Sequence, residues 1–145
     1  MGTWGVNTFE NDDAQDWIVE LQEDGSVDFL VSSLSADEAD GGYLEAPDGA
    51  RILCAAEVVA AVVSGDRDAL PEEAASWLKA QRDLDFARLA PLTKAGVDRV
   101  LAEHSELREL WQENADDFPE WLSSVARLRS RLDTSMTVPG PSDTA

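Results

Sequence analysis

One cysteine and one histidine in 145 residues leave almost none of the side chains from which nucleophilic triads and zinc sites are built. Cys54 has no second cysteine with which to close an internal disulfide. Its neighbours Leu53 and Ala55 mark it as a small core residue rather than a nucleophile. A lone thiol also suits a reducing compartment. His104 stands beside Ser105 and reads as a hydrogen-bonding residue at a helix junction. A Walker loop, G-x-S-x-G, G-x-G-x-x-G and an EF-hand loop are all missing. The opening residues show no basic stretch followed by an apolar one, so no secretory signal is expected. The apolar run from Ile52 to Val63 is shorter than the roughly 20 residues a membrane span needs, and Glu57 interrupts it. Val6 stands where a myristoylation signal requires Ser or Thr. These absences predict a cytoplasmic protein with no membrane attachment.

Positive charge is the other scarcity. There are 11 basic residues against 30 acidic ones, a net charge of -19. Residues 1–50 hold 13 acidic and no basic side chains, residues 51–100 hold 8 and 7, and residues 101–145 hold 9 and 4. The first cation is Arg51. Such a field repels phosphate and anionic lipid, so direct nucleic-acid binding is not expected. The acidic third requires remote cations, a bound divalent metal or a basic partner, unless it is simply a solvated face that resists aggregation.

What is present is helical periodicity. Asn11 can cap a helix whose first turn carries Asp12 and Asp13, where the dipole favours anions. Ala14, Trp17, Ile18 and Leu21 then form one apolar stripe. Gly25 and Ser26 separate it from a second stripe of Val27, Leu30, Val31 and Leu34, although Asp28–Ser32 also suits a short strand. Residues 35–42 read as a loop. Residues 50–63 are apolar around most of a helical circumference, as in a central helix closed by Gly65. Pro71 opens a helix with Ala74, Trp77 and Leu78 on one face. Pro91 is read as the start of the next, and Ser105 as a break or cap before Leu107, Leu110 and Trp111. Asp117 and Glu120 match a capping box, followed by Trp121, Leu122, Val125, Leu128 and Leu132. Arg127, Arg129 and Arg131 fall near the expected end of that helix, where cations suit the dipole. The predicted fold is an all-α, single-domain irregular bundle of five to seven helices over residues 1–132 with an ordered N-terminal loop. A disordered tail is expected over 133–145.

Glu57 is the most informative single residue. A carboxylate inside CAAEVVAA is costly to bury unless it is paired, hydrogen-bonded or protonated. The structural reading supplies backbone amides, an indole N–H or an arginine from a neighbouring helix. The chemical reading makes it a metal ligand or general base, with Asp12, Asp13, Asp16 and Glu45 as the available partners. Pairs such as Asp13 with Asp16 place two carboxylates on one helix face, but they arise readily by chance among 30 acids. Of five tryptophans, Trp17, Trp77, Trp111 and Trp121 lie on core stripes and are explained by packing.

The string MGTWGVNTFENDDAQDW, followed by YLEAP, AAEVVAA, SELRELW and WLSSVARLRSRL, resembles the bacterial domain-of-unknown-function 4259 family. In that family a W-G, F-x-N-D and A-x-D-W opening precedes a helical body. The resemblance spans about residues 1–132 and implies no established activity. It directs attention to Trp4, Gly5, Phe9, Asn11, Asp12, Asp13, Asp16, Trp17, Glu45 and Glu57 as one surface, with Trp4, Asp12, Asp13, Asp16, Glu45 and Glu57 as the binding candidates, or else as parts of a lid that locks the fold. The function expected from charge is a non-enzymatic binding module that docks a basic protein, as an immunity or inhibitor protein does. It would need no cofactor. The alternatives are a metal-dependent hydrolase built on Asp13, Asp16, Glu45 and Glu57, and a structural subunit.

Overall fold

A computed structural model of the chain describes residues 8–9, 12–24, 27–35, 44–64, 70–80 and 86–137. Among these residues seven helices run in order: α1 (Asp12–Asp24), α2 (Val27–Leu34), α3 (Ala46–Ser64), α4 (Glu72–Lys79), α5 (Phe86–Leu101), α6 (Glu106–Gln112) and α7 (Phe118–Thr137). The all-α bundle expected from periodicity is the observed class. The candidate cap Asn11, the separators Gly25, Ser26 and Gly65, and most of the N-terminal loop lie outside the described residues.

α3 is the axis, packed by α1, α2, α5, α6 and α7, while α4 covers α1. Every residue from Ile52 to Ala61 is buried. Four of them are alanines, Ala55, Ala56, Ala60 and Ala61, and these small side chains let neighbouring helices approach on several sides at once. On α5 Gly96 faces this axis closely, and an added Cβ there would lie 3.0 Å from Ile52 Cγ2. On α1 the stripe of Ala14, Trp17, Ile18 and Leu21 is buried as the spacing requires. Trp17 lies against Phe29 of α2 with ring centroids 5.4 Å apart. Its indole Nε1 donates to Ser33 Oγ at 3.0 Å, satisfying a donor that burial would otherwise strand.

The junction of α5 and α6 also fixes the start of α3. Leu44 N donates to the His104 carbonyl and Glu106 N to the Leu44 carbonyl, both at 2.8 Å, forming a parallel bridge between Leu44 and Ser105. Ser105 Oγ then accepts Arg108 N at 3.2 Å as the cap of α6. Glu106 Oε1 accepts Ala46 N at 2.8 Å, supplying an acceptor to the first turn of α3. At the far side of α6, Trp111 stacks on Trp121 of α7 with centroids 6.3 Å apart.

Three expectations are corrected. Pro91 does not begin a helix; it sits inside α5, which starts at Phe86. Its missing N–H removes one backbone bond in the second turn, and the burial of Ala90 and half-burial of Leu89 just before it extend the helix upstream. Asp28–Ser32 follows the helical spacing read for the second stripe and not the short-strand alternative, with Leu30 and Leu34 in the core. The Asp117 carboxylate accepts the Asn114 side-chain amide at 2.9 Å in place of the capping-box bond. Lastly, α7 continues to Thr137, so its last turn carries no basic residue and the three arginines serve no dipole.

Candidate functional site

Glu57 sits in the middle of α3, 7% exposed, and both carboxylate oxygens are engaged. Oε1 accepts Arg131 Nη1 of α7 at 2.8 Å, and Oε2 accepts the Thr8 hydroxyl at 2.7 Å. The guanidinium supplies the countercharge that burial demands, and the hydroxyl occupies the other oxygen. Thr8 and Phe9 form a turn, tied also by Gln15 Nε2 of α1 donating to the Phe9 carbonyl at 3.0 Å. The arrangement is that of the structural reading of Glu57. Among the described residues no three His, Cys, Asp or Glu side chains come together in a way that holds a metal ion.

Beside Glu57, one turn earlier, lies the thiol of Cys54. Burial pushes its pKa well above the ordinary thiol value, with the Glu57 and Asp13 charges adding to the rise and Arg51 opposing it. The thiol is held protonated and out of reach of electrophiles.

The acids of α1 have a different setting. Asp12, Asp16, Val19 and Glu23 fall at i, i+4, i+7 and i+11 on the face opposite the buried stripe, and all four are exposed. Val19, at 52%, is the one exposed large hydrophobic residue among those described. Asp13 is exposed on the flank of the same helix, and Glu45 is exposed just before α3. Among the described residues, none of Asp12, Asp13, Asp16, Glu23 and Glu45 has an ion pair. Three arginines of the body are meanwhile engaged. Arg51 forks onto Glu20, with Nη2 3.1 Å from Oε1 and Nη1 3.2 Å from Oε2, and lies over the Phe29 ring. Arg129 reaches Asp98 at 3.0 Å. Arg131 holds Glu57.

The residues singled out from sequence therefore separate. Asp12, Asp13 and Asp16 share one helix, Glu57 is enclosed in the core, and Trp4 lies outside the described residues. Thr8 and Arg51 were not anticipated as partners. Their bonds to Glu57 and Glu20 join residues 49 and 31 positions apart, and no local spacing announces such pairs.

Fold and site together define an all-α domain in which the buried Glu57 is paired with Arg131 and the acids on the outer face of α1 are exposed and, among the described residues, outside any ion pair. The family model for a domain of unknown function, DUF4259, matches residues 2–124, and the chain belongs to that family. No curated protein and no solved structure matches it. No helix among the described residues is long and apolar enough to cross a membrane.

Proposed function

We propose that this chain is a non-enzymatic binding module that docks a basic protein on the outer face of α1, in the manner of an inhibitor or immunity protein acting in the cytoplasm. The observation that carries this reading is the exposed row of Asp12, Asp16 and Glu23, unpaired among the described residues, while the nearby Glu20 is neutralised by Arg51. Val19 gives the row an apolar contact at its centre. A cationic partner would be steered by the field and would complete the pairing on contact. Glu57 takes no part in docking, since its oxygens are already occupied.

The test compares the native chain with a D12K/D16K/E23K variant as bait. Partners retained by the native chain and lost by the variant should be basic, and their association rate should fall as salt rises. A partner that binds both forms equally, or binds with no dependence on ionic strength, overturns the reading.

A further inference from the structure

We infer that Glu57 is a latch between distant parts of the chain, through which α7 holds the Thr8–Phe9 turn against α3. The inference does not rest on docking by α1. One carboxylate receives both attachments: Arg131 Nη1 at 2.8 Å on Oε1 and Thr8 Oγ1 at 2.7 Å on Oε2. The two donors stand on opposite ends of the sequence, 49 residues before Glu57 and 74 after it, and the carboxylate is their common point. An ionised carboxylate in this apolar helix keeps its place because the guanidinium compensates its desolvation. Without Arg131 it turns toward water, and the acceptor that orders Thr8 leaves with it. Glu57 thus transmits the state of α7 to the turn that leads into α1, a turn also held by the bond from Gln15 Nε2 to the Phe9 carbonyl.

Hydrogen exchange followed by mass spectrometry tests the coupling. In Arg131→Met the peptide containing Thr8 and Phe9 should exchange about tenfold faster, as expected for losing a charge-assisted hydrogen bond, while the slowest amides of α3 keep their place as the slowest in the chain. Arg131→Lys, which keeps the charge, should stay close to the native rate. Coupling is reciprocal, so Thr8→Val should accelerate exchange in the turn of α7 around Arg131. This second variant alters a half-buried turn and keeps the test open if Arg131→Met does not fold. Unchanged exchange at Thr8 and Phe9 in a folded Arg131→Met chain, or no effect of Thr8→Val on α7, overturns the latch.

Discussion

Arg131 Nη1 lies 2.8 Å from Glu57 Oε1, joining the last long helix to the central one by an ion pair whose glutamate side chain is 9% exposed and whose arginine side chain is 22% exposed. Removing one partner of such a pair is worse than removing both, because the remaining charge stays where water is scarce. Glu57→Met and Arg131→Met, each alone, should therefore lower the unfolding free energy by about 3 kcal/mol, the lower part of the range for a broken buried pair. The double variant Glu57→Met with Arg131→Met should lose distinctly less than the two single losses added together. Urea unfolding of the four chains measures both quantities. Strict additivity would show that the pair contributes no coupling.

The helical body was legible from spacing, because each stripe repeats within one element: Trp17 with Leu21 on α1, and Trp121, Val125, Leu128 and Leu132 on α7, are buried as their periodicity demands. What spacing could not show was long-range polar pairing. That Glu57 would need a partner followed from its apolar flanks, and an arginine was among the candidates, but nothing local distinguishes Arg131 from Arg127, which is exposed on the same helix. Pro91 misled for a related reason. Its local preference favours a helix start, while burial of Ala90, a tertiary effect, carries α5 upstream of it. The acids of α1 were legible as a charge run; their division into a paired Glu20 and an unpaired Asp12, Asp16 and Glu23 depended on where Arg51 came to rest.

The stretch matched by the family model ends at residue 124, but the folding unit does not. Val125, Leu128 and Leu132 are 3%, 2% and 0% exposed, and Arg131 follows the same helix. Each buried aliphatic side chain contributes about 2 kcal/mol, so their joint loss is comparable with the total of roughly 5–15 kcal/mol that holds a domain folded. A chain ended after residue 124 should show no cooperative thermal transition, while one ended after residue 137 should melt as the full chain does. Circular dichroism reads both, and a cooperative melt of the shorter chain would refute the extended boundary.

Gly96 of α5 lies close against Ile52 of α3. A methyl group there would meet Ile52 Cγ2 at 3.0 Å and the Leu34 carbonyl at 3.6 Å. Two effects oppose each other in Gly96→Ala. The helix gains up to about 1 kcal/mol from the better helix former, and overpacking costs about 1–3 kcal/mol. Because Ile52 is fully buried and has little room to move, the substitution should be destabilising by roughly 1 kcal/mol. In an Ile52→Ala background the clash disappears and only the helix gain remains, so the same substitution should stabilise. The sign reversal in chemical denaturation is the diagnostic, and its absence would mean that the two helices are not held apart by this contact.

Cys54 sets a limit on stability at alkaline pH. Burial first, then the charges of Glu57 and Asp13, raise its pKa in the folded chain, with Arg51 opposing them. In the unfolded chain the thiol titrates near its ordinary value of about 8.5. Below that pH both states hold the proton and Cys54 adds no slope. Above it the unfolded state releases the proton while the folded state retains it, so unfolding becomes easier as pH rises, by at most about 1.4 kcal/mol per unit. Cys54→Ala removes the titrating group, at the cost of a small cavity that is the same at every pH. Its stability should therefore fall less steeply than that of the native chain between about pH 8.5 and pH 10. Equal slopes for the two chains in urea denaturation would place Cys54 in contact with solvent, contrary to its fully buried position in α3.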